Sequence, residues 1–198
     1  MVYFIVGPNG VGKTFFANKF SNDTNIKTFD TGPILRNIYK SRNLNIPFSK
    51  WIQIGETEYG DNFAIGLICE EIKKDFNSSN DIIIIGNRSI DGINYTINKL
   101  NITNYSIIYL DASFHCLKTN YESREKKLLT DKEFNELIVG GNKMGLDKLK
   151  EYVISHPESC CYFYKEHNCD LNYIEYYEKI NKRNIIIKKK SINNKESW

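Results

Sequence analysis

The sequence predicts a three-layer α/β domain, in which a parallel sheet of about five strands carries helices on both faces. Short, wholly apolar runs recur along the chain, as strands buried in a parallel sheet require. Segments with a helical spacing of apolar residues separate these runs. The chain has 198 residues, a length typical of one domain, and no repeat or linker divides it. We therefore expect a single domain over residues 1–198.

The predicted strands are apolar runs that stop at a glycine or at a polar turn. Residues 2–6 are all apolar and run into glycines, and residues 81–85 contain four consecutive isoleucines. Shorter apolar runs predict strands at 26–29, 105–110 and 184–188. Residues 156–168, rich in Tyr, Cys and charge, are left unassigned.

Helices are predicted between these strands. Asp30 and Thr31 stand where caps of a second helix would lie. Residues 51–76 form a long, mostly helical stretch, and Gly140-Gly141 is the expected break in the stretch 131–153. The remaining predicted helices cover residues 14–20, 33–41, 90–100, 113–128 and 173–181.

Composition and charge exclude several classes of protein. Hydrophobic residues make up 41% and charged residues 26%, which excludes wholesale disorder. No apolar run reaches the roughly 18 residues of a membrane span, and the start lacks the basic segment of a signal peptide. We therefore expect a cytoplasmic protein with no membrane partner.

The net charge of +3 conceals an uneven distribution. Residues 181–198 hold six Lys or Arg and one Glu, so the other 180 residues carry a net charge of −2. Solvated lysines beside a final strand and a frayed end explain this tail more simply than a nucleic-acid partner does.

The cysteines do not form a recognisable framework. Their number is odd and no Cys-x-x-Cys pair occurs, which favours reduced thiols over a disulfide framework or a zinc site. The five residues are Cys69, Cys116, Cys160, Cys161 and Cys169.

A phosphate-binding loop follows the first predicted strand. The run satisfies G-x-x-x-x-G-K-[ST] in full, between an apolar strand and a helix. Its glycines let backbone N–H groups surround an anion, and the helix adds the positive end of its dipole. Lys13 is expected to reach the β- and γ-phosphates, and Thr14 to bind Mg²⁺. The motif predicts a P-loop NTPase fold with ATP and Mg²⁺ as cofactors, held by Gly7, Pro8, Asn9, Gly10, Val11, Gly12, Lys13 and Thr14.

Two large P-loop classes fit poorly. The N-K-x-D motif by which GTPases recognise their base is absent. The isoleucine strand ends in Gly86-Asn87-Arg88 where an ATPase motor would have an Asp. The short chain is typical of a small phosphotransferase.

Three further segments, in the expected order, carry a family resemblance. Asp30-Thr31-Gly32 follows the second strand, with Arg36 four residues after the glycine. Residues 84–89 include the end of the third predicted strand and the turn after it. Residues 109–113 do the same for the fourth strand. From the P-loop to about residue 124, the chain resembles the cytidylate-kinase-like branch of the nucleoside monophosphate kinases, with Asn87 inserted between the family's Gly and Arg.

The resemblance implies roles for these residues. Arg36 and Arg88 would grip a monophosphate, in a substrate-binding group with Asp30, Thr31 and Gly32. Residues 31–76 would hold the acceptor-binding helices, and 120–150 the lid. The resemblance also implies a role for Arg124. In that lid, Arg124 would neutralise the transferring phosphoryl group beside Lys13.

Some residues keep two interpretations. Asp30 is either a catalytic carboxylate or a helix cap, and Asp111 either orients water on Mg²⁺ or simply ends a strand. Within the acceptor region, polar residues such as Gln53, Asp61 and Asn62 have the chemistry to read a base edge. The aromatic residues Trp51, Tyr59 and Phe63 are better explained by core packing.

The predicted function is ATP- and Mg²⁺-dependent phosphoryl transfer to a nucleoside or deoxynucleoside monophosphate. One alternative is a kinase whose acceptor is a hydroxyl group, on a small metabolite or on a modified base in DNA, with Asp30 as the base. The other is a regulator that binds a nucleotide without catalysis.

Overall fold

The computed structural model describes residues 1–76 and 80–166 of the chain. Within them, five parallel strands form one sheet in the order β2-β3-β1-β4-β5. The strands are β1 (Val2–Val6), β2 (Lys27–Asp30), β3 (Ile82–Ile85), β4 (Tyr105–Ala112) and β5 (Cys160–Lys165). The predicted α/β class with a five-stranded parallel sheet is confirmed.

Helices connect the strands and cover both faces of the sheet, as parallel strands require. They are α1 (Lys13–Thr24), α2 (Thr31–Ser41), α3 (Phe48–Tyr59), α4 (Phe63–Lys73), α5 (Ile90–Leu100), α6 (Phe114–Glu125), α7 (Asp131–Lys143) and α8 (Leu146–Ser155). No helix in the described ranges is both long enough and apolar enough to cross a membrane.

The core consists of two apolar layers, one on each face of the sheet. Alternate residues of each strand point into opposite layers. Phe4 of β1 packs in the layer with α4, α5 and α8, and its neighbour Ile5 packs in the layer with α1, α6 and α7. Both side chains are fully buried. Two of the three inner strands, β1 and β3, are apolar throughout because both of their faces lie in the core.

Three boundaries differ from the prediction. The stretch 51–76 is two helices, because the chain leaves the helical conformation at Gly60, whose φ is +88°. Gly140 and Gly141 both lie inside α7, and the break falls at Gly145, with φ +97°. The unassigned stretch contains β5, which pairs with β4 from Cys160 to Lys165. The predicted helix 173–181 and strand 184–188 lie outside the described residues.

The topology brings the candidate residues to one edge of the sheet. The P-loop follows β1, Asp30 ends β2, and residues 86–88 follow β3, which lies between those two strands. In open parallel sheets, ligands bind in the crevice beyond the carboxyl ends of the strands. The candidate site therefore lies at this edge of the sheet.

Candidate active site

The loop between β1 and α1 has a backbone that side chains would obstruct. Gly7, Gly10 and Gly12 all have positive φ angles, of 138°, 84° and 90°. A Cβ atom on Gly7 would stand 2.1 Å from the carbonyl oxygen of Leu110 in β4. The loop therefore packs directly on the neighbouring strand, and it ends at the N-terminus of α1, where backbone N–H groups and the helix dipole favour an anion.

Lys13 folds back over this loop. Its Nζ donates hydrogen bonds to the carbonyl oxygens of Gly7 and Pro8, both at 2.8 Å. These two bonds hold the ammonium group above the loop, where it can contact an anion that the backbone N–H groups bind.

Burial and neighbouring positive charges both act on Lys13. Together they lower its pKa to about 7: burial is the largest cause, the charges of Arg88 and Arg124 add to it, and Asp30 acts in the opposite direction. A lysine whose charge is this unfavourable in the free protein gains most from a bound anion. The site thus fits the phosphate chain that the motif predicts.

Asp30 links the end of β2 to the P-loop. Its Oδ1 accepts a hydrogen bond from the backbone N–H of Gly32 at 3.1 Å, which caps α2. Its Oδ2 accepts a hydrogen bond from the Thr14 hydroxyl at 3.3 Å. The predicted capping role is therefore present, and the same carboxylate also reaches the P-loop.

Thr14 and Asp30 are the oxygen donors that a magnesium ion would meet here. Hydroxyl and carboxylate oxygens are ligands that Mg²⁺ accepts, usually together with waters and substrate phosphates. The 3.3 Å approach of the two side chains fits a single hard cation beside the loop. The metal role of Thr14 stays a prediction.

Arg36 lies over the first turn of α2. Its Nη2 is 3.3 Å from the position that a Cβ atom on Gly32 would take, and Asp30 Oδ1 is 3.5 Å from that same position. The guanidinium group and the carboxylate therefore flank Gly32 on the cleft side of the helix.

Thr31 lies where the turn after β2 meets the turn after β3. It is buried, and its hydroxyl oxygen is 2.4 Å from the position of a Cβ atom on Gly86, where φ is +103°. The turns after these two strands are thus in direct contact. Arg88 belongs to the turn after β3 and so lies close to the turn after β2.

Two more arginines approach the loop. The Nη1 of Arg88 contacts the thioether sulfur of Met144 at 3.2 Å, between α7 and α8. Arg124, in the last turn of α6, pairs with Glu125 at 2.8 Å and lies over the ring of Tyr121. Both are exposed, and both guanidinium charges act on Lys13.

Asp111 has other partners. Its Oδ2 accepts hydrogen bonds from Lys150 Nζ at 2.7 Å and from the Tyr162 hydroxyl at 2.9 Å, and its Oδ1 accepts one from the backbone of Ala112. These bonds tie β4 to α8 and β5. Of its two interpretations, the arrangement supports a structural carboxylate at a strand end.

The acceptor region is only partly core. Trp51 is buried, whereas Tyr59 is 73% exposed and stacks on Phe63. Beside that pair lies a cavity of about 560 Å³, which Asp61 and Asn62 also line. Aromatic core packing therefore describes Trp51 but not Tyr59.

Asn87 is the site residue whose importance the sequence did not reveal. It is 4% exposed, and neither polar atom of its side chain has a hydrogen-bond partner in the part of the chain that the structure describes. The sequence showed only that a residue is inserted between Gly86 and Arg88.

The thiols show no metal cluster. Among residues 1–76 and 80–166, no group of three or more His, Cys, Asp or Glu side chains is placed to hold a metal ion. Four cysteines in these ranges are buried, and Cys169 lies outside them.

Comparison with solved structures finds proteins with a similar architecture. A gluconokinase from Sinorhizobium meliloti 1021 aligns with a TM-score of 0.52 and 11% identity, over 82% of this chain and 81% of that one. The fold is the one seen in that gluconokinase. A protein from Chloroflexus aurantiacus j-10-fl described as a "putative kinase" aligns over 63% of this chain and 66% of its own, with a TM-score of 0.47 and 15% identity. No protein-family model and no curated protein sequence matches the chain.

Proposed function

We propose that the protein is an ATP-dependent kinase whose acceptor is a nucleoside or deoxynucleoside monophosphate. The observation that carries this proposal is the charge around Lys13, whose pKa is lowered by burial and then by Arg88 and Arg124. These positive groups reach one cleft from α1, from the turn after β3 and from the end of α6. Such a site suits a ligand pair that brings several negative charges.

The side chains would divide the phosphates between two sides of the cleft. The P-loop backbone and Lys13 would hold the triphosphate of ATP. Arg36 and Arg88, beyond the ends of β2 and β3, would hold the monophosphate of the acceptor, where a planar guanidinium can bind two oxygens at once. Arg124 would neutralise charge that develops on the transferring group.

Magnesium-ATP would supply an activated phosphoryl group. An acceptor phosphate oxygen is already a nucleophile, so the protein needs no general base for this reaction. Its contribution is to align the two substrates and to balance their charge. Thr14 and Asp30 would supply the oxygen atoms nearest the metal. Residues 120–150 remain the expected lid, whose closure would exclude water.

A panel assay tests the proposal. The protein is incubated with Mg²⁺, ATP and each ribo- and deoxynucleoside monophosphate, and ADP and the new diphosphate are both measured. We expect one or a few acceptors to be converted well above the ATPase background. ATP binding with no transfer to any acceptor would instead favour a nucleotide-binding regulator.

A second candidate has an observation in its favour. Asp30 lies within hydrogen-bonding distance of Thr14, which puts a carboxylate beside the P-loop. A kinase that phosphorylates a hydroxyl group needs such a carboxylate as general base. A solved structure with the same fold is described as a gluconokinase. Gluconate and related polyols therefore belong in the same panel, and so does DNA that carries hydroxylated bases.

A further inference from the structure

The Asn87 carboxamide is buried without a hydrogen bond to any residue in 1–76 or 80–166. The residue is 4% exposed, and neither Oδ1 nor Nδ2 has a partner in these ranges. A buried polar group without a partner costs on the order of 1–3 kcal/mol, and native proteins keep few of them. One explanation is that a ligand completes the hydrogen bonds.

The amide lies beside the first turn of α5. Its Nδ2 is 3.9 Å from the position that a Cβ atom on Gly92 would take. The Cδ1 atom of Ile65 in α4 lies 2.7 Å from that same position. The hydroxyl of Ser89 accepts the N–H of Gly92 as the cap of α5. The amide is therefore buried near the place where α4 meets the start of α5.

Asn87 stands on the acceptor side of the cleft. It lies between Gly86, which contacts Thr31 at the start of α2, and Arg88, which we assign to the acceptor phosphate. Its side chain reaches toward α4 and α5, whereas that of Arg88 reaches Met144. The side chains of Asn87 and Arg88 therefore extend into different parts of the space around this turn.

We propose that Asn87 is a specificity-determining residue that hydrogen-bonds to the part of the acceptor beyond its phosphate. This inference rests on the proposed function. A carboxamide donates from Nδ2 and accepts at Oδ1, so it matches a group that has a donor beside an acceptor. A base edge and a sugar hydroxyl both have this chemistry.

The test replaces the amide by an apolar group of similar size. In N87L we expect the KM of the acceptor to rise on the order of 10- to 100-fold, since one or two hydrogen bonds are lost. The KM of ATP should stay within about twofold, because the P-loop is untouched. The melting temperature without ligands should be unchanged or higher, because no polar group is then buried unpaired. N104L is the matched control, an exposed asparagine before β4.

The acceptor panel identifies the group that Asn87 meets. A penalty in N87L for ribonucleotides but not for their deoxy forms assigns the 2′-hydroxyl, and a penalty that depends on the base assigns a base edge. An unchanged acceptor KM in N87L overturns the inference, and a lower melting temperature with it would show that the amide holds a structural water. If N87L does not fold, N87D, which loses the donor but keeps the shape, decides by the same KM.

Failure of the proposed function gives a different result. A wild-type protein that phosphorylates no nucleotide of the panel overturns the nucleoside monophosphate assignment and the Asn87 inference together. A wild-type protein that is active while N87L retains its acceptor KM overturns the Asn87 inference alone.

Discussion

The hydroxyl of Thr14 donates a 3.3 Å hydrogen bond to the carboxylate of Asp30 and so joins the P-loop to the end of β2. The two residues are 16 positions apart in the chain, and Thr14 lies in the first turn of α1. They meet because the parallel strands β1 and β2 end at the same edge of the sheet, where the P-loop leads into α1 and Asp30 ends β2. This contact connects the proposed nucleotide side of the cleft to the proposed acceptor side.

The substitution D30N separates the two candidate functions. Asparagine is as good a helix cap as aspartate, so α2 should keep its N-terminus. If the acceptor is a monophosphate, we expect kcat at saturating Mg²⁺ to fall less than about tenfold, because no base is needed and the amide oxygen of asparagine can still bind the metal. If the acceptor is a hydroxyl group, kcat should fall about 10²- to 10⁴-fold with the base lost. D75N is the control, since Asp75 pairs with Lys27 on the surface.

The substitution R88K tests the acceptor phosphate site. Lysine keeps the charge but loses the planar pair of donors, so the KM of the acceptor should rise roughly 10- to 100-fold. The KM of ATP should change little. Equal effects of R88K on both substrates would contradict the assignment.

Much of the fold and part of the site could be predicted from local sequence. The P-loop was visible because its chemistry lies in eight consecutive residues, and β3 because four isoleucines suit only a buried strand. The strand β5 was missed because its run, Cys160–Lys165, mixes tyrosine, cysteine and lysine, and its burial depends on pairing with β4. The break after α7 was misplaced because a glycine pair can remain helical when the helix packs on neighbours.

The burial of the Asn87 side chain could not be predicted from the sequence. Its burial depends on how α4 and α5 meet over the end of β3, and that packing is not encoded in the neighbouring residues. Asp30 and Arg36 were predicted together because both follow β2 at short range. Whether those residues act in catalysis stays a prediction that the variants above address.

The lowered pKa of Lys13 predicts a pH dependence of stability. Unfolding returns this pKa from about 7 toward 10.5, so between these values the unfolded chain holds a proton that the folded chain lacks. Stability of the wild type relative to K13M should therefore rise with pH across this window, by about 1 kcal/mol per unit, and stay constant below pH 7. Urea unfolding of both proteins from pH 6 to 10 measures the difference, and parallel curves would refute the assignment.

Binding of an anion should raise the lowered pKa of Lys13 again. A triphosphate beside Lys13 stabilises the charged ammonium, so its binding at pH 8 to 9 should take up close to one proton. Calorimetric titration of ATP in two buffers of different ionisation enthalpy counts that proton. In K13M the two buffers should give the same heat for whatever binding remains. Proton uptake that persists in K13M would place the titrating group elsewhere.

The contact between the turns after β2 and β3 predicts a costly glycine substitution. Gly86 has φ +103°, and a Cβ atom there would lie 2.4 Å from the buried Thr31 hydroxyl oxygen. G86A therefore combines backbone strain with a clash, whereas G60A, at φ +88° with no atom within 4 Å of its Cβ position, adds strain alone. We expect G60A to lower the free energy of unfolding by about 1 kcal/mol and G86A to lower it by about 2–4 kcal/mol. Urea unfolding measures both. Because the clash pushes the two turns apart, G86A should also raise the acceptor KM. Equal destabilisation by G60A and G86A would mean that Thr31 does not clash with a side chain at position 86.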